Sequence, residues 1–401
     1  MTEHKALSIL ISGASIAGLT TAYWLDAHGF DVTVVERAPH LRPGGQALDI
    51  RGPALEIASR MGVLARFQES ITHLTGVSAV NSVGEEIYRD TERTLTGGQL
   101  NSSDLEVLRD DLCKILYEAV CDRVTFLFSD QITAIEQVED AVNVSFSHGQ
   151  TRRFDLVVGA DGLHSGVRRL VFGPEKDYLR QLGTSYVATF GMPNFLGLHR
   201  WEVIYQNEDM DVGAMVMGLR KEVDARAYVG FKAESPLDYD YRDIAAQKRL
   251  VADRMVGGGW VLPQIVEHMV SASDFHFDSI SQIRMDEWSR GRVVLVGDAG
   301  YSVALATGQG TTVAMVGAYV LAGELATHRH DLATGLTAYE ASIRDYVLRN
   351  QEDAVSINSE LPSSKAEAET GSDSKLNYPD FGAMTHPFDI KDYAALADDP
   401  T

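Results

Sequence analysis

A glycine-rich segment after the first strand pattern constrains this 401-residue chain more than any other feature. Leu7 to Ser12 is a nearly continuous apolar run, which is typical of a strand buried on both faces of a parallel sheet. Gly13-Ala14-Ser15-Ile16-Ala17-Gly18 follows and leads into a helical pattern from Ile16 to His28. A second apolar strand runs from Asp31 to Glu36, so the order of patterns predicts a βαβ unit.

The residue types in this turn favour a bound nucleotide. Gly13 permits a sharp turn, Gly18 allows close packing of helix on strand, and the helix N-terminus offers free N–H groups to a pyrophosphate. Glu36 ends the second strand, where an acidic residue is expected to accept hydrogen bonds from ribose hydroxyls. Ser15 replaces the usual middle glycine. A glycine-containing turn in an unrelated α/β protein is the alternative, and Glu36 with the flanking strands counts against it.

A second motif, Gly159-Ala160-Asp161-Gly162 with Ser165 and Arg168, follows another buried strand pattern and turns into a helix. By itself it could be a simple turn, because Asp and Gly are favoured in turns for local reasons. We expect His164 within it to be an ordinary turn residue rather than a catalytic group. The value of this motif lies in its position between the other two.

The third motif combines a carboxylate with a helix start. Gly297-Asp298 ends a strand, which places the carboxylate at the edge of the sheet where ligands bind in open α/β folds. Gly308-Gln309-Gly310 begins a long helix whose unpaired N–H groups can face an electron-rich acceptor. A glycine-rich helix start that merely packs closely is the alternative. Three motifs in this order indicate one dinucleotide held from both halves of the chain.

Composition narrows the classes of partner. The formal net charge of -22 disfavours non-specific binding to nucleic acid or to an anionic membrane surface. No apolar segment approaches the roughly 20 residues needed to span a bilayer, and the polar start of the chain lacks a secretory signal pattern. We expect a small-molecule partner, no nucleic acid, no membrane, and a monomer or dimer. No spacing of His and Cys suggests a metal site.

The two cysteines favour a cytoplasmic location. Ser103 or Asp104 can cap a predicted helix that runs to about Cys121 and contains Cys113. Within one helix, their spacing of eight residues gives roughly 12 Å of rise, which is too far for a disulfide. A chain without disulfides suits a reducing compartment.

Together these segments resemble a known enzyme class. The segments that carry this resemblance are Gly13 to Gly18 with Glu36, Arg109 in its Leu-Arg-Asp-Asp-Leu context, Gly159 to Arg168, and Gly297 to Gly310. In them the chain resembles the FAD-dependent class A aromatic-ring monooxygenases of the p-hydroxybenzoate hydroxylase type. Within that class, Gly44 to Gly52 resembles the tetracycline-inactivating flavin monooxygenases. A glutamine that some of those enzymes use on the substrate falls at Ala188 in a gapless comparison, so the substrate is left open.

The resemblance implies a set of cofactor contacts. Arg109 would lie along the ribityl or pyrophosphate portion of FAD, Asp298 would accept from ribityl hydroxyls, and Asp161 would orient the pyrophosphate and the transient nicotinamide donor. Arg51 either borders the flavin ring or is a solvated surface arginine. The complete set of expected cofactor contacts is Gly13, Ser15, Ile16, Ala17, Gly18, Glu36, Arg37, Gln46, Arg51, Arg109, Asp161, Gly297, Asp298, Gly308, Gln309 and Gly310.

Substrate contacts are expected from strand-like segments rich in aromatic residues and methionine. The candidates are Tyr186, Phe190, Met215 and Phe231. As strand residues they are equally expected in a core. No catalytic side chain is assigned, because the flavin carries the chemistry.

The class implies an α/β fold with a Rossmann-like FAD-binding domain of the GR2 type, an interleaved mixed β-sheet substrate domain and long C-terminal helices. We assign residues 1–71, 100–180 and 281–330 to the FAD-binding domain and residues 72–99 and 181–280 to the substrate domain. Residues 331–360 form a predicted C-terminal helix, and residues 361–401 form a flexible or loosely docked acidic tail.

The implied activity is hydroxylation of a phenolic or enolic polycyclic small molecule, with tetracycline-type antibiotics as candidates. NADH or NADPH would reduce FAD, and O2 would add to give a flavin C4a-hydroperoxide that transfers one oxygen atom. A hydroxylase of a simple aromatic or polyketide metabolite is the first alternative. A non-catalytic flavin-binding protein and a nicotinamide-dependent dehydrogenase are the others, and the Gly308 segment counts against the dehydrogenase.

Overall fold

The computed structural model describes residues 6–219, 224–360 and 385–393, without the side chains of residues 306, 359 and 360. The α-helices of this part of the chain are α1 Ile16–Ala27, α2 Pro53–Arg60, α3 Leu64–Glu69, α4 Arg109–Glu118, α5 Gly166–Val171, α6 Ile244–Arg254, α7 Leu262–Ser271, α8 Asp298–Tyr301, α9 Gly310–Thr327 and α10 Leu332–Glu360. Short 3₁₀ turns lie at Glu175–Asp177 and Leu305–Thr307.

Within the described residues, the strands form two large sheets, a three-stranded meander and two small ribbons. They are β1 Ser8–Ser12, β2 Asp31–Glu36, β3 Ala47–Ile50, β4 Val77–Val80, β5 Glu86–Asp90, β6 Arg93–Thr94, β7 Gly98–Gln99, β8 Leu105–Leu108, β9 Thr125–Phe128, β10 Ile132–Val138, β11 Ala141–Phe146, β12 Arg152–Phe154, β13 Leu156–Gly159, β14 Leu179–Pro193, β15 Glu202–Gln206, β16 Val212–Gly218, β17 Asp224–Lys232, β18 His276–Ile283, β19 Ser289–Arg290 and β20 Val293–Leu295.

The first sheet has six strands in the order β19-β20-β13-β1-β2-β9, and every pairing except β19 with β20 is parallel. Its central strand carries the fully buried run Ile9, Leu10 and Ile11, which accounts for the unbroken apolar pattern in the sequence. Because the strands are parallel, their carboxyl ends meet at one edge, and all three glycine motifs follow strands that end there.

The second sheet has seven strands in the order β18-β14-β17-β16-β15-β4-β5. One face packs on α6 and α7 through an apolar core. The other face contacts the ribbon of β3 and β8, where Met217 and Leu219 pack with Ala47 and Leu108. The sheet therefore presents one face to its own helices and the other toward the nucleotide-binding half. The boundaries predicted at 180 and 280 fall inside β14 and β18, and the domain division stays a prediction.

The C-terminal helices cover the first sheet. α9 is buried along nearly its whole length and packs on α1 and on the 29-residue α10. Residues 385–393 lie back on α9, where Tyr393 is buried against Gly323 and the ammonium of Lys391 is 3.0 Å from Glu324. The predicted tail at 361–401 otherwise lies outside the described residues. Within the described ranges, no helix is long and apolar enough to cross a membrane.

One helix prediction was wrong. Leu105–Leu108 forms strand β8 instead of the first turn of the helix expected between Ser103 and Cys121. Strand β8 pairs antiparallel with β3, and such tertiary pairing overrides local helical preference. The helix runs from Arg109 to Glu118, so Cys121 lies beyond its end, and both cysteines are free thiols.

Candidate active site

The first two glycine motifs touch each other. Gly13 has φ +108°, and a Cβ added to it would lie 2.5 Å from the carbonyl oxygen of Ala160. A Cβ on Gly18 would overlap the carbonyl oxygen of Gly13, so only glycine fits either position. Ser15 caps α1 without a side-chain bond to its N–H groups, and Ile16 and Ala17 form the buried first turn. The free N–H groups of α1 are therefore available to an anion.

Glu36 closes the end of β2 against the same turn. One carboxylate oxygen accepts the N–H of Ala14 at 2.9 Å, and the other accepts the N–H of Ala38 at 2.9 Å. These two bonds fix the side chain, and a carboxylate still has acceptor capacity for further donors. The geometry suits the ribose contact predicted for Glu36.

Arg109 lies across the start of α1. Its guanidinium donates to the hydroxyl of Ser15 at 3.1 Å, and its backbone N–H donates to the carbonyl of Gln46 at 3.0 Å. A Cβ on Gly45 would lie 2.8 Å from the Arg109 side chain. Arg37, in contrast, is exposed just beyond β2. Arg109 therefore brings Ser15 and Gln46 together at the N-terminus of α1.

Asp161 has a structural role inside the second motif. Its carboxylate accepts the N–H groups of Gly166 at 2.8 Å and Val167 at 3.0 Å, together with the hydroxyl of Ser165, so it caps α5. Buried Arg168 donates to the carbonyl of Ala299 at 2.8 Å and so ties this motif to the third. The contact predicted between Asp161 and the cofactor or nicotinamide stays a prediction.

Asp298 is exposed although the residues on both sides of it are buried. Gly297, with φ +64°, brings the turn against α1, where a Cβ would lie 2.8 Å from the Cβ of Ala17. Burial within the surrounding protein raises the pKa of Asp298 to about 6. A hydrogen bond from Ser302 acts in the opposite direction, but its effect is smaller. An accessible carboxyl that is also surrounded by protein lines a deep cleft.

The loop from Ala304 to Gly310 leads from the Asp298 turn to the N-terminus of α9. Ala304 has φ +74°, a conformation that non-glycine residues rarely adopt, and such strain clusters at functional sites. A Cβ on Gly310 would meet no atom within 4 Å, so the N-terminus of α9 opens onto free space. The side-chain oxygen of Gln309 is buried and has no hydrogen-bond partner among the described residues. An open helix start beside an unpaired acceptor suits a polar planar group such as a flavin ring.

Arg51 is completely buried, so the alternative of a solvated surface arginine is wrong. Its guanidinium lies 2.9 Å from Asp49 and 3.6 Å from Asp104. A Cβ on Gly308, which has φ +64°, would lie 2.8 Å from the same Asp49 carboxylate. Arg51 therefore supports the loop of the third motif from beneath.

The structure separates the four predicted substrate residues. Tyr186, Phe190 and Phe231 are buried in the core between the larger sheet and its helices α6 and α7. Their rings offer no surface to the cleft, so the alternative interpretation of these three as core residues describes them. Met215 lies on the opposite face, packed with Val77 and Ile204.

That opposite face carries a row of four side chains, of which the sequence singled out only Met215. In the strand register, His276 on β18 lies beside Thr189 on β14, Thr189 beside Tyr228 on β17, and Tyr228 beside Met215 on β16. We call these four residues the cleft row. The hydroxyl of Tyr228 accepts the N–H of Ala47 at 2.8 Å, which joins the row to the segment that carries Gln46. Only the alternation with core residues could have indicated the positions of Thr189, Tyr228 and His276.

His164 joins the two halves of the molecule. Its two ring nitrogens lie 3.0 Å from Glu175 and 2.9 Å from Asp278 on β18, and its ring stacks on Tyr241 at 4.1 Å. These carboxylates outweigh burial, which acts in the opposite direction, and raise the pKa of His164 to about 9. It is therefore more than the turn residue that the sequence predicted. No group of metal-ligating side chains occurs in the described ranges.

Comparison with known proteins agrees with this geometry. The FAD binding domain family matches residues 6–352. An uncharacterized protein of Mycobacterium tuberculosis is 46% identical over 386 residues, which cover 96% of this chain and 100% of that protein. A flavin-dependent monooxygenase of Legionella longbeachae is 36% identical over 357 residues, which cover 88% of this chain and 89% of that protein.

Among solved structures, the crystal structure of the tetracycline destructase Tet(55) superposes with a TM-score of 0.83 at 34% identity, covering 98% of this chain and 100% of that chain. The fold and cleft thus define an FAD-dependent oxidoreductase. The chain belongs to the FAD binding domain family of flavin-dependent monooxygenases. The predicted resemblance and the α/β fold class are confirmed.

Proposed function

We propose that this enzyme hydroxylates a phenolic or enolic polycyclic small molecule, with NADH or NADPH as electron donor and O2 as oxygen source. Tetracyclines are the first candidates, because the likeness to a tetracycline destructase extends over nearly the whole chain. The observation that carries the proposal is the hydrogen bond from the backbone N–H of Ala47 to the hydroxyl of Tyr228. This hydrogen bond holds the face of the larger sheet that carries the cleft row against the segment of Gln46 and Ala47. Because that segment precedes Arg51 and Gly52 near the loop of Gly308, a ligand on this face would lie beside the flavin.

FAD would be held at the carboxyl edge of the parallel sheet. We assign its ribose to Glu36, its pyrophosphate to the N-terminus of α1 with Ser15 and Arg109, and its ribityl hydroxyls to Asp298. The isoalloxazine would face the Gly308-Gln309-Gly310 backbone and the unpaired oxygen of Gln309. When bound, FAD supplies the redox chemistry and the activation of O2, while the chain binds, orients and excludes water.

The remaining assignments stay predictions. Arg37 is placed at the edge of the adenosine site, and Arg51 acts through the Gly308 loop. Asp161 caps α5 and, in this proposal, also helps to position the nicotinamide donor. The reducing cytoplasm, in which Cys113 and Cys121 would remain thiols, also stays a prediction.

The test is turnover by the FAD-loaded enzyme with tetracycline, 4-hydroxybenzoate and simple phenols, each with NADH and with NADPH. Mass spectrometry should find a product heavier by one oxygen atom from a polycyclic substrate, with little H2O2. Reduction of O2 to H2O2 alone, with every substrate and both donors, would overturn the proposal.

A simple aromatic or polyketide metabolite is the second candidate substrate. The observation that favours it is the burial of Ala188 in the core of the larger sheet, on the face turned away from the cleft. The position expected for a substrate-binding glutamine thus contributes nothing to the cleft. Oxygenation of the simple phenols without oxygenation of tetracycline would decide for this candidate.

A further inference from the structure

A polar side chain on the cleft row is buried without a partner. Thr189 is 5% exposed, and its hydroxyl has no hydrogen-bond partner within the described residues. Its neighbours Ala188 and Phe190 belong to the core on the other face, so strand alternation turns Thr189 toward the cleft. Native proteins leave few buried polar groups unpaired, and such a group in a cleft is explained by a ligand that pairs it.

The neighbouring imidazole, that of His276, also makes no hydrogen bond to the part of the chain that the structure describes. His276 is exposed between buried Phe275 and Phe277, and Phe277 packs into the core on the helix side. His276 therefore faces the cleft as Thr189 does, and the two residues are paired in the strand register. The His276 ring makes no hydrogen bond to any residue in the described ranges.

The surroundings keep this imidazole neutral. Although solvent reaches the ring, the surrounding protein desolvates His276 and lowers its pKa. The positive charges of Arg42, Arg109 and His164 lower this pKa further, and the negative charge of Asp278 opposes them. A neutral imidazole donates through one nitrogen and accepts through the other, and a threonine hydroxyl can do both. The pair therefore offers uncharged donors and acceptors at one point of the cleft.

We propose that Thr189 and His276 form the polar half of the substrate site and recognise a hydroxyl beside a carbonyl, as in an enolised 1,3-dicarbonyl or a phenol next to a ketone. The Thr189 hydroxyl accepts a hydrogen bond from the ligand hydroxyl, and the neutral imidazole of His276 donates one to the ligand carbonyl oxygen. Met215 and the ring of Tyr228 supply the apolar half. Three strand spacings of about 4.8 Å make the row about 14 Å long, which suits fused rings better than a single ring. The inference rests on the proposed function in placing the substrate in this cleft.

The first experiment uses two ligands that differ by one oxygen. 1-Hydroxyanthraquinone has the required hydroxyl beside a carbonyl, and anthraquinone lacks it. Each is titrated into FAD-loaded wild-type protein, with tetracycline as a third probe, while the flavin absorbance and fluorescence are followed. We expect 1-hydroxyanthraquinone to bind about 3- to 10-fold more tightly than anthraquinone, which corresponds to one hydrogen-bonded hydroxyl. Equal binding of the two anthraquinones, or no binding of any probe, overturns the proposal.

The second experiment removes each polar group in turn. Thr189→Val should abolish the preference between the two anthraquinones without lowering thermal stability, because the lost hydroxyl has no hydrogen-bond partner among the described residues. His276→Phe should weaken 1-hydroxyanthraquinone about tenfold, and His276→Gln, which keeps a donor and an acceptor, should restore part of the loss. If Thr189→Val lowers stability and leaves the preference intact, the hydroxyl is structural and the proposal fails.

Tyr186→Phe is the matched control. It removes a hydroxyl from the same strand but on the core side, where the Tyr186 oxygen accepts the N–H of Leu237 at 2.7 Å. It should lower stability and leave ligand preference unchanged. Because these are binding measurements with the FAD content checked, they can succeed even if no oxygenated product forms, which separates this inference from the proposed function.

Discussion

The two walls of the cleft are built by different means. The wall that we assign to the cofactor, at the turns of Gly13, Gly297 and Gly308, is made of backbone, through glycines with positive φ and helix starts whose N–H groups are free. The substrate wall is made of side chains on one face of a mostly antiparallel sheet, at positions set by the register of strands distant in sequence. Where the wall is made of backbone, adding one methyl group should lower stability and prevent cofactor binding. A wall made of side chains should tolerate change and lose selectivity first.

The largest effect is expected at the backbone wall. Gly13→Ala places a Cβ 2.5 Å from the carbonyl oxygen of Ala160 at φ +108°. Strain and overlap together should lower the free energy of unfolding by about 3 kcal/mol or more and abolish FAD binding. Chemical denaturation and the visible spectrum of the purified protein measure both.

Gly29→Ala is the control for backbone strain alone. Gly29 has φ +76°, but a Cβ there meets no atom within 4 Å. It should cost about 1–2 kcal/mol and leave FAD bound. Equal effects of the two substitutions would contradict a site formed by close backbone contact.

Asp298 is the side chain on which the cofactor wall most depends. Asp298→Asn should weaken FAD binding by about 10- to 100-fold at pH 8, since hydrogen bonds to a charged group are worth about 1.5–3 kcal/mol. The raised pKa of about 6 means that Asp298 becomes protonated as the pH falls through that value. Wild-type FAD affinity should therefore drop toward that of the variant at pH 5. Titration of apoprotein with FAD at both pH values measures this, with exposed Asp286→Asn as control.

The contrast between the walls explains what the sequence could and could not predict. The turns at Gly13 and Gly308 are local, so glycine spacing and buried strand patterns located them. The face on which a strand residue lies depends on its partner strands, so aromatic character led to Tyr186 and Phe190, which are core. Residue type gave no indication of Thr189 and His276, because the role proposed for them depends on their position, which is set only when β14 and β18 pair.

His164 joins the second motif to β18 of the larger sheet, and its contribution to stability should depend on pH. His164 has its pKa raised to about 9, so its ion pairs stabilise the fold fully below pH 6.5 and are lost as the pH rises through 9. His164→Gln should lower the free energy of unfolding by about 1–3 kcal/mol at pH 6 and by much less at pH 10. Denaturation at the two pH values measures this. His148→Gln replaces an exposed histidine whose ring nitrogen is 3.7 Å from Asp130, and it should change stability by less than about 0.5 kcal/mol at either pH.

The smallest effect is expected deep in the substrate half, at Glu202. Its carboxyl accepts the N–H of Leu95 at 2.6 Å and the hydroxyl of Thr96, and burial together with Glu106 raises its pKa to about 8. The folded state therefore holds a proton that the unfolded chain releases above pH 4.5, so this group makes stability fall as the pH rises from 4.5 toward 8.

Glu202→Gln keeps a neutral side chain of the same shape, so stability at pH 7 should change by only about 1 kcal/mol. The decline of stability between pH 5 and 8 should become shallower in the variant, and denaturation across that range measures it. Glu208→Gln, at an exposed position just after β15, should leave the decline as it is in the wild type. A variant with the wild-type pH profile would mean that Glu202 is already ionised in the fold. In that case the decline would come from other buried carboxyls such as Glu106, whose pKa is also raised by burial.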